Sequence, residues 1–175
     1  MSTAAMVFEQ AMEWLQNYYG VYHKERDIVL AIRDHLNEVF DERNLRSKAR
    51  DEFKMPTGKI ADIVIRRLES DEVEVAAEFK YEPSHTRKSE FSQGAFPVTF
   101  WDEIGNDVSK VFKYVADGHA RVAYAVFVDE GRYHRWRECP PRSDWKDWEN
   151  SSHHPYSISL LWTRAPADGT TDRLD

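Results

Sequence analysis

The sequence predicts an α/β domain in which a mixed β-sheet lies between layers of helices. Two segments, at about 24–41 and 102–117, repeat apolar residues at the helical spacing of three and four. Between them, the runs at 60–65 and 73–79 are rich in β-branched and other apolar residues, as strands are. A further run, at 121–128, is apolar at nearly every position, which is typical of a central strand buried on both faces. The order of these elements favours a mixed sheet flanked by helices.

Composition favours one domain. With 175 residues, of which 41% are hydrophobic, we expect residues 1–175 to form a single unit. Apolar runs fall short of the ~20 residues of a membrane span, and the N-terminus lacks a basic stretch followed by an apolar one. The single cysteine, Cys139, excludes an internal disulfide, and His153-His154 lacks a third zinc ligand nearby. We therefore expect a cytoplasmic protein with no membrane partner.

Two helices are predicted at the N-terminal end. The first, at 4–19, has one apolar stripe and is followed by Gly20 as a stop signal. It could cover the sheet or form a dimer contact, and a covering role is the expectation. In the second helix, at about 24–41, the apolar residues fall within about 60° of one direction. Glu25 lies near the centre of that stripe and is expected to face inward.

Three meandering strands should follow. Residues 48–55 alternate weakly and end in the turn signal Pro56-Thr57-Gly58, which leads into the strand that carries Asp62. These two strands should form an antiparallel hairpin. The chain then continues through 68–71 into the strand that carries Glu78.

A long irregular segment at 81–99 separates these strands from the third helix. A loop of this length in a compact domain is often functional, so we expect a mobile flap that touches substrate, with a surface excursion as the alternative. The third helix, at 102–117, ends before Gly118. Its outer face should carry Lys110 and Lys113.

A C-terminal extension, at 130–165, follows the central strand. We expect Ser143 to cap a short helix through Trp148 and residues 156–162 to add an outer strand. Residues 166–175 should fray.

Three charged side chains on the apolar strands are the strongest clue to function. Asp62 is flanked by apolar residues on both sides, and a buried carboxylate without a partner is costly, so a cation should lie nearby. In the next strand, a period of two puts Glu78 and Lys80 on the same face. If the two strands are neighbours, two carboxylates and one ammonium group converge. Mg²⁺ prefers such a setting.

The spacing of these residues resembles a known family. Asp62 precedes Glu78-Phe79-Lys80 by 16 residues, which resembles the PD-(D/E)XK phosphodiesterase superfamily of restriction-endonuclease-like nucleases. The resemblance covers a core at about 24–129, with the order α-β-β-β-α-β, and leaves an extra N-terminal helix and a C-terminal extension outside it. Ala61 stands where the motif's name has a proline. With 31 acidic and 24 basic residues, a chance cluster of strand-end charges is the alternative.

The resemblance implies a Mg²⁺-dependent nuclease, with Mn²⁺ as a substitute, acting on DNA, with RNA as the less favoured alternative. Asp62 and Glu78 would hold the metal, joined by Glu25 and the backbone carbonyl of Phe79. Lys80 would orient the attacking water or help to deprotonate it, and would stabilise charge on the phosphate; positioning is the expected role. For Glu25 the alternative is a first-turn acid that stabilises the helix dipole by ~0.3–1 kcal/mol. Many such enzymes pair their sites, so a homodimer is also considered.

The net charge of −7 argues against nonspecific affinity for nucleic acid, because phosphate binding depends on lysine and arginine. Basic residues are nevertheless locally dense, and the candidate phosphate contacts are Arg46, Lys48, Arg50, His85, Arg87, Lys88 and Lys110. A solvated charge run is the alternative explanation for each group.

Two other functions stay open: a catalytically inactive nuclease-like domain serving as a nucleic-acid- or protein-binding regulatory subunit, and an unrelated α/β protein whose charges only resemble the motif.

Overall fold

The computed structural model describes residues 2–148 and 156–166. Within them, α-helices pack on both faces of a six-stranded sheet, and the predicted α/β class is confirmed. The helices are α1 (Thr3–Asn17), α2 (Glu25–Glu42) and α3 (Trp101–Ala116). The strands are β1 (Ser47–Lys54), β2 (Ile60–Arg67), β3 (Val73–Glu82), β4 (Val122–Glu130), β5 (Ser143–Trp148) and β6 (Ile158–Pro166).

The sheet is mixed, with the strand order β1-β2-β3-β4-β6-β5. The first three strands form the predicted antiparallel meander. β4 runs parallel to β3, because α3 carries the chain back across the sheet between them. β6 and β5 extend the sheet antiparallel beyond β4. Every position of β4 is buried, as its apolar run predicts.

The helices divide between the two faces of the sheet. α1 and α2 cover the face that presents Val75, Ala77 and Phe79 of β3. α3 covers the opposite face and packs its Val108 and Val111 there. Because successive side chains of a strand point to opposite faces, the even-numbered residues of β3 turn toward α3.

The N-terminal helix covers the sheet, as expected. Phe8 of α1 is fully buried, and its ring centroid lies 4.8 Å from that of Tyr124 on β4. The hydroxyl of Ser2 accepts a hydrogen bond of 3.2 Å from the backbone N–H of Ala5 and so caps the helix. Among the described residues, no helix combines the length and the apolar character needed to cross a bilayer.

The short helix predicted from Ser143 is wrong, because this segment is strand β5. Ser143 lies opposite Thr163 of β6, and their hydroxyl oxygens are 2.5 Å apart. The serine thus bonds across a strand pair instead of capping a helix, since a ladder partner overrides the local capping preference.

The strand predicted at 156–162 exists as β6, but it lies between β4 and β5 and is not an outer strand. His153-His154 and residues 167–175 lie outside the described residues.

The segment predicted to be a flap begins with regular structure. β3 continues to Glu82, and a 3-10 helix follows at His85–Glu90. The hydroxyl of Ser84 accepts a hydrogen bond of 3.4 Å from the N–H of Thr86 and helps to fix the turn between them. Within this segment, residues 83–84 and 91–99 lack regular secondary structure. The first half of the segment is therefore anchored to the core, contrary to the expectation of a wholly mobile loop.

Candidate functional site

Asp62 lies where β2 separates from β3. The ladder between these strands ends at Ile63, opposite Ala77, and Asp62 is the residue just before Ile63 on β2. Its Oδ2 accepts a hydrogen bond of 2.7 Å from the backbone N–H of Phe79. A carboxylate oxygen therefore satisfies a strand N–H that the ladder leaves without a carbonyl partner. The separation of the two strands makes room for charged groups within an otherwise apolar layer.

Glu78 is buried, and both of its carboxyl oxygens are hydrogen-bonded to α3. Its side chain is 3% exposed. Its Oε1 accepts from the hydroxyl of Tyr114 at 2.8 Å, and its Oε2 accepts from Nζ of Lys110 at 2.6 Å. The same Nζ donates to the carbonyl of Ile60 at 2.8 Å. Lys110 thus links the start of β2 to β3.

Lys80 is paired with one acid from each helix layer. Its Nζ lies 3.4 Å from Oε2 of Glu25 on α2 and 3.5 Å from Oδ2 of Asp107 on α3. The Asp107 side chain is 16% exposed, and within the described part of the chain its Oδ2 has no hydrogen-bond partner. Two carboxylates from opposite faces therefore share one ammonium group.

We call this arrangement the carboxylate–lysine cluster. It consists of Glu25, Asp62, Glu78, Lys80, Asp107, Lys110 and Tyr114. Four carboxyl groups face two lysines, so acids outnumber cations in a place with little water. Such an excess is costly unless protons or a bound cation compensate it.

Burial raises the pKa of all four acids in the cluster. It raises the pKa of Glu25 to about 7, against the opposing charge of Lys80. It also raises the pKa of Glu78 to about 7, and the neighbouring charge of Asp62 adds to the effect. The pKa values of Asp62 and Asp107 are raised by burial too.

Burial and charge act on the pKa of Lys80 in opposite directions. Burial alone lowers the pKa of Lys80, but the nearby charges of Asp107, Glu25 and Asp62 outweigh it, so that the pKa is raised. The ammonium group is therefore held in its protonated form.

The donor chemistry of the cluster suits a hard cation. Carboxylate oxygens are the ligands that Mg²⁺ prefers, and Asp107 offers a buried oxygen that lacks a hydrogen bond. Among residues 2–148 and 156–166, no group of three or more His, Cys, Asp or Glu side chains is already gathered in metal-binding geometry. In the structure, Nζ of Lys80 and Nζ of Lys110 are the positive groups that lie against these acids.

The predicted phosphate contacts differ in their exposure to solvent. Lys48 and Arg50 are exposed on the edge strand β1, and Lys88 is exposed on the 3-10 helix. Arg46 is also exposed and forms an ion pair with Glu69. These four side chains are available at the surface.

Two other candidates have specific partners. Nε2 of His85 lies 2.8 Å from Oε1 of Glu82, and its ring stacks on Tyr133 with centroids 3.8 Å apart. Lys110 was expected on the outer face of α3, but it turns inward to Glu78. It belongs to the cluster itself and not to the outer surface.

Arg87 must be removed from the surface candidates, because it is buried. Its Nη1 donates to Oε2 of Glu130 at 2.9 Å and to the Tyr81 hydroxyl at 3.1 Å. Its Nε donates to Glu90 at 2.9 Å, and its Nη2 donates to the carbonyl of Tyr22 at 2.9 Å. A guanidinium that is fully used inside the protein anchors the segment after β3 and cannot also bind a phosphate.

Sequence reasoning missed Asp107 and Tyr114 and assigned Lys110 to the wrong face. These residues are spaced i, i+3 and i+7 on α3, which puts them on one stripe. That stripe borders the apolar stripe of Val108 and Val111. Polar residues that repeat at helical spacing beside an apolar stripe are the sequence pattern that could have indicated their inward position.

The cluster brings hard oxygen donors and a protonated lysine to the separated end of a strand pair. That combination can bind a cation and stabilise negative charge on a reacting group. No protein-family model matches this chain, and no curated protein matches it in sequence.

Proposed function

We propose that this chain is a Mg²⁺-dependent nuclease of the PD-(D/E)XK type that hydrolyses phosphodiester bonds in DNA. The supporting observation is the meeting of Asp62, Glu78 and Lys80 where β2 separates from β3, in a mixed sheet with a parallel β3–β4 pair. Packing alone gives little reason to collect four partly or fully buried acids, because each one costs free energy to remove from water. Buried acids with raised pKa values are more typical of functional sites.

Asp62 and Glu78 would hold the metal, with Glu25 and the carbonyl of Phe79 as further oxygen donors. The N–H of Phe79 faces Asp62. In an extended strand the N–H and C=O of one residue point to the same side, so this carbonyl also faces β2. A bound divalent cation supplies a Lewis acid that polarises the phosphate and lowers the pKa of bound water.

Lys80 would orient the attacking water and stabilise the charge that develops on the phosphate. Its raised pKa supports these roles over that of a general base, which would have to lose its proton first. Glu25 and Asp107 hold its Nζ from both sides. The exposed side chains of Lys48, Arg50 and Lys88 would contact the substrate backbone.

The direct test is cleavage of labelled plasmid and single-stranded DNA with Mg²⁺, with Mn²⁺ or with EDTA. We expect metal-dependent cleavage by the wild type and a loss of at least ~100-fold in Glu78→Ala and in Lys80→Ala. Matched controls are Glu38→Ala, an exposed acid on α2, and Lys146→Ala, an exposed lysine on β5. Cleavage that survives in Glu78→Ala would contradict the proposal.

A second candidate is a catalytically inactive nuclease-like domain that binds nucleic acid or protein as a regulatory subunit. The occupation of both Glu78 oxygens by Lys110 and Tyr114 favours it, because a metal would have to displace the lysine. This candidate predicts a wild type that binds nucleic acid but cleaves none of the substrates with either metal. The third interpretation, a chance resemblance of scattered charges, expects no shared cluster, and the effect of the Asp62 charge on the pKa values of both Glu78 and Lys80 counts against it.

A further inference from the structure

An aromatic and arginine-rich segment follows β4 immediately and plays no part in the carboxylate–lysine cluster. Residues 132–137 read Arg-Tyr-His-Arg-Trp-Arg, with three arginines and no acid in a chain of net charge −7. The segment packs against the start of α3, where His134 stacks on Trp101 with centroids 5.8 Å apart.

The segment is held in place by buried acids. Asp129 accepts hydrogen bonds from the backbone N–H groups of Tyr133 at 3.0 Å and His134 at 2.7 Å. Nε2 of His134 lies 3.0 Å from Oε2 of Glu82. The turn that presents the following residues is therefore fixed by the core.

Trp136 projects from this turn with a defined ring orientation. Trp136 is 76% exposed, yet its indole Nε1 donates a hydrogen bond of 2.8 Å to the carbonyl of Tyr133. Phe100, beside Trp101 at the start of α3, is 67% exposed. Large aromatic rings that are both exposed and held in position are characteristic of binding surfaces.

Arg137 lies between two indole rings. Its guanidinium carbon is 4.9 Å from the ring centroid of Trp136 and 5.5 Å from that of Trp101. Its Nε has no hydrogen-bond partner within the described residues, and no ion pair of Arg137 is found there. A guanidinium held by stacking, without an ion pair among the described residues, is suited to attract a phosphate.

We infer that Phe100, Trp101, Trp136 and Arg137 form a surface that binds unpaired nucleotides, with a base stacked on Trp136 and a phosphate on Arg137. We call it the Trp136 surface. Every base has a π-face, but a duplex covers those faces, so stacking on an exposed ring selects single strands and frayed ends. The acidic balance of the whole chain makes such local contacts more important for binding.

The inference rests on the proposed nuclease function and adds to it the class of substrate. α3 connects the two sites: Trp101 precedes Asp107 by six residues, or about 9 Å along the helix axis. A strand stacked on Trp136 could therefore extend to the carboxylate–lysine cluster within a few nucleotides. The substrate class would be single-stranded DNA or a duplex with an unpaired end.

The test is the fluorescence anisotropy of a fluorescein-labelled oligothymidylate with the full chain in EDTA, so that cleavage does not interfere. Trp136→Ala should raise the Kd about tenfold or more, and Trp136→Phe should retain part of the affinity. Arg137→Gln should raise the Kd and reduce its dependence on salt. The matched control is Tyr18→Ala, an aromatic residue on the opposite face of the sheet that is 65% exposed, and it should bind like the wild type.

A blunt duplex of the same length should bind more weakly and should be insensitive to Trp136→Ala. Equal affinities of wild type, Trp136→Ala and Tyr18→Ala for the oligothymidylate would overturn the inference. It would also be overturned if Trp136→Ala weakened binding of the duplex as much as binding of the oligothymidylate. Since Trp136 is exposed, the variant should keep the far-ultraviolet circular dichroism and the Tm of the wild type.

The same proteins separate this inference from the nuclease proposal. Glu78→Ala should lose cleavage and keep the affinity for the oligothymidylate. Binding that depends on Trp136, in a wild type without metal-dependent cleavage, would sink the nuclease proposal and support the Trp136 surface. Metal-dependent cleavage with no effect of Trp136→Ala on binding would do the reverse.

Discussion

The backbone N–H of Phe79 donates to Oδ2 of Asp62 across 2.7 Å, just beyond the end of the β2–β3 ladder. This bond fixes one oxygen of the carboxylate while the strands separate. It ties the position of Asp62 to β3, which also carries Glu78 and Lys80. The relative geometry of the three groups is therefore set by one strand pair and not by flexible loops.

Two substitutions of Asp62 should separate its structural role from its chemical role. Asp62→Asn keeps an oxygen acceptor for Phe79, so the free energy of unfolding should change by less than about 1 kcal/mol, while metal-dependent cleavage falls by at least ~100-fold. Asp62→Leu leaves the N–H of Phe79 unpaired and should also cost about 1–3 kcal/mol. Urea unfolding and plasmid cleavage measure the two effects. Wild-type cleavage by Asp62→Asn would refute the assignment.

The stability of the metal-free protein should fall as the pH rises from about 4.5 to about 7. The pKa of Glu78 is raised by burial from 4.5 to about 7 in the folded state, so in this window the folded state holds a proton that the unfolded state has released. The free energy of unfolding then decreases with pH. Glu25 acts in the same direction, but less strongly because it is a third exposed.

Glu78→Gln should flatten this pH dependence by an amount of the order of 2 kcal/mol. Thermal unfolding in EDTA across the window measures it. The matched control is Glu38→Gln, an exposed glutamate on α2, which should leave the slope as in the wild type. An equal slope in Glu78→Gln and wild type would show that Glu78 titrates normally.

Lys110→Met should increase the affinity for divalent cations. Nζ of Lys110 lies 2.6 Å from Oε2 of Glu78, so a metal has to compete with it for that oxygen. Loss of one charge-assisted hydrogen bond should tighten Mn²⁺ binding about tenfold, as measured by isothermal titration calorimetry. Lys113→Met is the control, because Lys113 lies on the same helix and pairs with Asp117 at the surface. Weaker Mn²⁺ binding by Lys110→Met would count against metal binding at Glu78.

Arg87→Met should destabilise the protein strongly. It leaves Glu130 buried with no cation, and breaking a buried pair typically costs about 3–5 kcal/mol. The double variant Arg87→Met, Glu130→Gln should recover much of the loss, because the unpaired charge is gone. Lys88→Ala, an exposed neighbour, should change the free energy of unfolding by less than about 0.5 kcal/mol in urea denaturation. A loss below about 1 kcal/mol in Arg87→Met would contradict the assignment of Arg87 as the essential buried partner of Glu130.

The sequence was sufficient for the helices, the meander and the buried strand β4. Their apolar periods are strong because each element buries one or both faces against the rest of the core. The inward direction of Glu25 and the shared face of Glu78 and Lys80 followed from the same periods. Period and spacing set the direction of a side chain, but they cannot set the distance between two elements.

The predictions that were wrong share one physical cause: each residue or segment has a partner that is distant in sequence. β5 is a strand because β6 lies beside it, and Arg87 is buried because Glu130, 43 residues later, meets it. Lys110 turns inward because Glu78 attracts it across the gap between α3 and the sheet. A local window of sequence contains none of these partners.

The position of β6 also determines how the chain can fold as it leaves the ribosome. Among the described strands β6 is the last to be synthesised, yet it pairs with β4 along its whole length, from Val122 opposite Pro166 to Glu130 opposite Ile158. Until β6 emerges, β4 presents an open row of peptide groups on a strand that is apolar from Val122 to Val128, which is a template for aggregation. Nascent chains that stall before Ile158 should therefore depend on chaperones far more than chains that include β6.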